Sequence, residues 1–218
     1  MTLPTLDLEW SLIHEGWDAV IALDEVGRGA LAGPVSVAAV VWTPSLPEPP
    51  EGIRDSKELT EARREALSEP IREWVAAVSV GHVHAPEIER LGIVPALRTA
   101  AEQALDDLRS RGALVGAPVV LLDGSQNWLA GSATVTETVL TRAKADRDCV
   151  SVAAASVVAK VERDQWMRQL AQSFPHYGFD RHKGYGSAAH FEALGRYGLT
   201  EHHRSSWIDP AKCRIFED

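Results

Sequence analysis

The unbroken apolar run from Ala19 to Leu23 ends abruptly in two acids, Asp24 and Glu25. Such a run predicts a strand covered on both faces and therefore central in a sheet. A second run, Pro34 to Trp42, follows the glycine-rich turn at 27–33 so closely that a hairpin-like pair is expected. Prolines at 44, 47, 49 and 50 deny ladder donors and break helices, so residues 43–54 read as a surface loop. A short charged helical stretch is expected after Thr60, then a third strand over Trp74 to Val83, where β-branched residues are frequent. Leu97, Ala101, Ala104, Leu105 and Leu108 share one face of a helix predicted over 95–111. Val119 to Leu122 predicts a fourth buried strand, ending in Asp123 and Gly124, and Thr134 to Leu140 a fifth. A second long helix is expected over 151–173, with Ala155, Ala159, Trp166 and Leu170 at roughly helical spacing. The tail reads as loops and helices. Strands placed early, with helices among and after them, predict a mixed α/β sheet covered by helices in a single domain.

Composition narrows the function classes. The 218 residues are 45% hydrophobic and 24% charged, enough to bury a full core. No apolar stretch is long enough to cross a bilayer, and the N-terminus is acidic where a signal peptide would be basic, so a cytoplasmic protein is expected. Two cysteines, Cys149 and Cys213, without CxxC spacing argue against a zinc cluster or a disulfide framework. The net charge of -9 argues against a whole-surface nucleic-acid binder, because affinity for phosphates comes mainly from Lys and Arg displacing counterions. The charge is uneven, however. Residues 1–139 hold 10 basic and 21 acidic side chains, whereas residues 140–218 hold 12 and 10, so a local basic surface in the last third and a merely solvated face both fit.

The candidate chemistry lies in acids at strand ends. Asp24, Glu25 and Asp123 each follow an apolar strand, and buried carboxylates without a positive partner are costly. A hard divalent cation, Mg²⁺ or Mn²⁺, suits oxygen ligands of this kind. Plainer readings stand beside this one: Asp123-Gly124 is also a turn dipeptide, the acidic pair could line a loop mouth, and Asp146 and Asp148 could cap the second long helix. Gly27, Arg28 and Gly29 could bring backbone amides and a planar fork of donors to a ligand, or simply form a tight turn; no P-loop pattern is present. In residues 177–186, Tyr177, Phe179 and Tyr185 alternate with Arg181, His182 and Lys183, a mixture suited to sugars, bases and phosphates. Five of the eight histidines fall in this tail, without zinc-type spacing.

The segment 21-IALDEVGRGALAGPV-35 closely resembles the signature of type 2 ribonucleases H (ribonuclease HII), and four further blocks follow in the family's order: 55-DSKEL-59, 120-VLLDG-124, 144-KADRDCVSVAAASVVAKVERD-164 and 176-HYGFDRHKGYGS-187. Five ordered motifs over roughly residues 17–207 are hard to obtain by chance. The resemblance implies a ribonuclease H-like mixed five-stranded sheet flanked by helices, with a lead-in over about residues 1–16 and a short helical C-terminal extension over about 187–218. It implies that Asp24, Glu25, Asp123 and Asp146 bind the metal, Mn²⁺ or Mg²⁺. It further implies that Gly27, Arg28 and Gly29 contact the ribonucleotide, that Tyr185 senses its 2′-hydroxyl, and that Lys57 meets the backbone near the scissile phosphate. Lys144, Lys160, Arg181 and Lys183 are additional backbone candidates. Ala145 and Ser187 stand where the family commonly has glycine and threonine.

The implied activity is endonucleolytic hydrolysis of RNA in RNA/DNA hybrids and nicking on the 5′ side of single ribonucleotides in duplex DNA, leaving 3′-hydroxyl and 5′-phosphate ends, in ribonucleotide removal, replication and repair. Asp24 would bridge two ions, Glu25 and Asp123 would serve the leaving-group side, and Asp146 would serve the ion that activates water. A monomer acting on nucleic acid is expected, with no membrane. No clamp-binding peptide follows Trp207, so recruitment to a replication clamp is not expected. A structure-specific DNA endonuclease on the same kind of metal site and a non-catalytic hybrid-binding module are the alternatives. A glycosidase with paired carboxylates fits the GRG segment and the basic aromatic loop poorly.

Overall fold

Side chains of a strand face alternate sides, so an all-apolar run needs a layer on each face. The computed structural model, which describes residues 3–213, supplies both layers. Along the chain run α1 (Asp7–His14), β1 (Ala19–Val26), β2 (Val35–Trp42), α2 (Glu61–Trp74), β3 (Ala77–Val83), α3 (Ala85–Leu91), α4 (Ile93–Ser110), β4 (Pro118–Asp123), β5 (Thr138–Arg142), α5 (Ala145–Asp148), α6 (Val150–Ser173), α7 (Phe179–His182) and α8 (Ala188–Tyr197). Short 3-10 turns occupy Ser56–Glu58, Ser205–Trp207 and Pro210–Cys213. Residues 1–2 of the expected lead-in and 214–218 of the expected extension lie outside the described residues.

The sheet has five strands in the order β3-β2-β1-β4-β5, with β1 in the middle as its apolar run requires. β1 and β2 form the expected hairpin, antiparallel, with β3 antiparallel to β2 beyond it. β4 lies parallel to β1 and β5 parallel to β4. Ile21, Leu23, Val37 and Val120 face α4, whose Leu97, Ala101, Ala104, Leu105 and Leu108 complete one core. Val20, Ala22, Val40 and Leu121 face α6, whose Val152 to Ala159 region is buried between the sheet and α2. A smaller apolar cluster under α8 joins Met167 and Leu170 of α6 to Phe179 and Leu194.

Several expected boundaries move. Trp74 ends α2 instead of opening β3, because its indole Nε1 donates to Pro47 O at 2.8 Å and ties the proline-rich loop to the helix. The charged stretch after Thr60 is a full 14-residue helix, its first turn capped by the Thr60 hydroxyl accepting from Arg63 N. The fifth strand starts at Thr138: Ser132 Oγ accepts from the backbone N–H of Thr134 and Val135, holding that segment in a turn. Asp146 and Asp148 lie in their own short helix, α5, ahead of α6. On α6 the fully buried stripe is Ala155, Ala159, Arg163 and Met167, and Trp166 from the expected set is only partly buried.

Candidate active site

Parallel pairing of β1 with β4 is the first step in assembling the site. Leu23 sits opposite Leu122, so Asp24 and Asp123 follow one step further on along neighbouring strands, whose usual spacing is about 4.8 Å, and the Asp123 charge is felt at Asp24. By strand alternation both continue the face of Ala22 and Leu121, toward α6. Asp24 is 5% exposed. Burial, followed by the charges of Glu25 and Asp123, holds its carboxyl well above the usual carboxylate range, with Lys57 opposing this and Asp146 adding to it.

Asp123 is joined to the α5 segment through its own carboxylate. Its Oδ1 accepts from Ala145 N at 2.7 Å and from Asp146 N at 3.3 Å, and those bonds bring Asp146, itself buried, to the cluster. Burial and then the Asp146 charge raise the Asp123 pKa despite these donors. Burial raises Glu25 as well, over the opposing charge of Arg28, whose Nη1 lies 3.4 Å away.

Lys57 supplies the local cation. Its Nζ donates to Asp146 Oδ2 at 2.8 Å and lies 3.5 Å from Asp55, while its side chain stays 74% exposed. Burial alone would lower the ammonium pKa, but the Asp146 bond and charge raise it overall. The loop carrying Lys57 is anchored on α6, where Ser56 N donates to Ser156 Oγ and Ser156 Oγ donates to Ser56 Oγ at 2.7 Å.

Across the cleft stands the glycine turn. Gly27 has φ +82°, and a Cβ there would lie 2.1 Å from Arg163 Nε and 2.6 Å from Pro34 O, so only glycine fits. Gly27 N donates to the Tyr185 hydroxyl at 3.2 Å. Two buried arginines hold the turn from behind through its carbonyls. Arg163 donates to Ala32, Pro34 and Lys183, and Arg204 donates to Arg28 and Gly33. Arg163 also lies over the Tyr185 ring at 5.4 Å.

The resulting cleft, of about 280 Å³, is lined by Asp24, Glu25, Asp123, the GRG turn, Lys57 and Tyr185, together with Ser56, Arg64 and Lys160. Lys160 reaches it while paired to Asp164 at 2.6 Å. Lys144 and Arg181 do not line it, and Asp146 borders it only through Lys57 and Asp123. Lys183 does not line it either: it is buried at 7% exposure, its ammonium is 3.0 Å from Glu61 and bonded to Asp180 O, and its φ is 51°. Among the described residues no three His, Cys, Asp or Glu side chains form a ready-made metal cage. The acidic floor is open, as suits Mg²⁺ or Mn²⁺, which take one or two carboxylates and leave other positions to water and substrate oxygens.

Sequence reasoning missed Arg64, Arg163 and Arg204. Arg163 had a visible signal, since it interrupts an otherwise apolar i, i+4 stripe on α6, where a charge must have a compensating set of acceptors. Arg204 had none, because nothing in its neighbourhood announces burial.

A family model described as Ribonuclease HII matches residues 21–209. The chain is 44% identical over 205 residues to the ribonuclease HII of Streptomyces avermitilis, covering 94% of this chain and 83% of that one. It is also 44% identical to the ribonuclease HII of Roseiflexus castenholzii, over 92% of this chain and 87% of that one. The crystal structure of ribonuclease H2 from Pyrococcus horikoshii superposes with a TM-score of 0.69 at 25% identity, over 87% and 93% of the two chains.

Proposed function

The chain belongs to the ribonuclease HII family, and from that premise we propose that it hydrolyses the RNA strand of RNA/DNA hybrids and nicks on the 5′ side of single ribonucleotides in duplex DNA. The observation carrying the site assignment is the β1–β4 pairing, which sets Asp24 beside Asp123 on one wall of a cleft whose other wall is the GRG turn and Tyr185. Asp24, Glu25, Asp123 and Asp146 are the residues that would hold divalent cations. Their donors are all hard oxygens, and the burial and mutual repulsion that together raise the Asp24 pKa are the electrostatic conditions a divalent cation relieves. Mg²⁺ or Mn²⁺, when bound, would supply an activated water and relieve charge on the leaving oxygen.

The other residues bind and discriminate. A hydroxyl has one donor and two acceptor positions. Gly27 N occupies an acceptor position on the Tyr185 hydroxyl, which leaves its O–H free to donate to a ribose 2′-hydroxyl. That is the group that separates RNA from DNA. Arg28, 44% exposed, and Lys57 offer cations at the cleft mouth for backbone phosphates. Lys57 is paired with Asp146, so a phosphate drawing it away would release that carboxylate. The intended setting is a monomer in the cytoplasm, engaged in ribonucleotide removal during replication and repair. Among the described residues no helix is long and apolar enough to cross a membrane.

The test is cleavage of a DNA duplex carrying one ribonucleotide, with wild type, Asp24→Asn and Tyr185→Phe, each with and without Mn²⁺. Metal-dependent nicking 5′ of the ribonucleotide by the wild type is expected, together with its loss in Asp24→Asn. Robust nicking by Asp24→Asn would overturn the site assignment, and equal cutting of an all-DNA control would overturn the substrate.

A further inference from the structure

Bonded to the Tyr185 backbone, and outside the cleft lining, lies a group of histidines without a role in the proposed chemistry. His190 of α8 is fully buried and His203 is 4% exposed. His190 Nδ1 lies 3.0 Å from Tyr185 O, and His190 Nε2 lies 3.2 Å from His203 Nε2. His203 Nδ1 lies 3.0 Å from Thr200 N and 2.8 Å from Thr200 Oγ1.

The hydrogen-bond partners leave one protonation pattern. A carbonyl only accepts, so His190 Nδ1 carries the proton donated to Tyr185 O, which leaves His190 Nε2 bare in a neutral ring. His203 Nε2 must then be the donor across the 3.2 Å contact, which leaves His203 Nδ1 bare to accept from Thr200. Every ring nitrogen has a partner, in a directed chain from Thr200 to Tyr185. A second proton on either ring would set two N–H groups against each other in a buried pocket. His182 works on the preceding peptide: its Nε2 faces Tyr177 O at 2.7 Å, so its Nδ1 is bare and accepts from Gly184 N at 3.2 Å. Gly184 O in turn accepts from Leu31 N and Ala32 N, which joins this loop to the end of the glycine turn.

We propose that His190 and His203 are positioning residues for the discrimination of ribonucleotide from deoxyribonucleotide, their fixed and opposite tautomers holding the Tyr185 backbone so that its hydroxyl meets both Gly27 and the substrate 2′-hydroxyl. The proposal rests on the assignment of Tyr185 as the 2′-hydroxyl sensor. The pair is built for neutrality. His182 stacks on His190 at 4.4 Å, Phe179 meets both rings, Tyr177 and His202 lie near His203, and no carboxylate is paired with either ring among the described residues. Burial, with the neighbouring histidines adding to it, pushes both imidazoles down to about 4. Because those values lie below the ordinary 6.5, the ordered chain holds throughout the neutral range and is lost only as pH falls toward 4.

The test compares binding of a duplex with one ribonucleotide against an all-DNA duplex, by fluorescence anisotropy in metal-free buffer, for wild type, Tyr185→Phe, His190→Phe and His190→Asn. His190→Phe keeps the ring packing but loses the donor, whereas the Asn side-chain amide restores a donor near the Nδ1 position. The expected result is that His190→Phe lowers the affinity ratio by about tenfold or more, the cost of a small misplacement of a recognition group, while remaining folded by circular dichroism. His190→Asn should recover most of that ratio, and the double variant Tyr185→Phe/His190→Phe should lose no more than Tyr185→Phe alone. A folded His190→Phe protein with the wild-type ratio would overturn the proposal. If instead Tyr185→Phe keeps the wild-type ratio, the sensor assignment itself fails and takes the proposal with it. Nitrogen-edited NMR of the wild type at neutral pH gives a readout independent of any variant's folding. Opposite neutral tautomers, Nδ1–H at His190 and Nε2–H at His203, are expected; the same tautomer at both, or a charged ring, overturns the proposal.

Discussion

Replacing Asp24 with asparagine should abolish cleavage and at the same time make the metal-free protein more stable. Asp24 is 5% exposed and stands beside Asp123 across the β1–β4 pair, with Glu25 next to it in the chain. Two unit charges about 5 Å apart at an effective dielectric constant of about 20 repel by about 3 kcal/mol. Lys57 offsets part of this, so removing the Asp24 charge should stabilise the metal-free fold by about 2 kcal/mol, or about 4–8 °C in melting temperature for a chain of this size. The sign follows from the raised pKa. A carboxyl whose folded pKa lies above its unfolded value of 3.8 favours folding when protonated and loses that contribution as pH rises through the folded value. The advantage of Asp24→Asn should therefore grow as pH rises above the ordinary carboxylate range and shrink on acidification. Millimolar Mn²⁺ should raise the melting temperature of the wild type and leave the variant nearly unchanged. Thermal melts in chelator across a pH series, repeated with Mn²⁺, measure all of this. An Asp24→Asn protein that melts at or below the wild type in alkaline chelator would refute the clustering of repelling acids.

Three other substitutions test the scaffold. Gly27→Ala should leave far-UV circular dichroism intact but lower kcat/KM on the single-ribonucleotide duplex by about a hundredfold, because the new methyl meets Arg163 and Pro34 O and must displace the turn. Gly81→Ala should cost about 2–3 kcal/mol in denaturant unfolding, because its Cβ would fall 1.9 Å from the backbone carbonyl of Ala100 and force α4 away from the sheet. Glu9→Ala should cost about 2 kcal/mol in the same assay, since the buried Glu9 accepts from Ser151 N at 2.9 Å and Ser151 Oγ at 2.7 Å and thereby caps α6 from α1. An unchanged unfolding midpoint in either variant would show that the contact contributes nothing.

Much of the fold was legible in the order of residues because burial leaves a periodic trace. A strand covered on both faces must be apolar at every position, and Ala19 to Leu23 announced both its centrality and the abrupt polarity of Asp24 and Glu25. The α4 face and the five ordered motifs were equally local signals, and all four acids of the proposed site could be named from them. What the chain order could not carry was convergence. Asp24 and Asp123 are neighbours only because β4 pairs in parallel with β1 in one register, and a shift of one residue would turn Asp123 to the other face of the sheet. Lys183, basic and set among aromatics, had the look of a phosphate contact, yet tertiary packing turns its ammonium onto Glu61 and Asp180 O. The reverse holds for Arg163, Arg204, His190 and His203, polar residues whose composition suggests the surface but which the fold buries. There the backbone carbonyls of distant loops, available only after folding, accept from Arg163 and from both terminal nitrogens of Arg204, whose Nε has no partner, and the histidine pair is completed by Tyr185 O and Thr200.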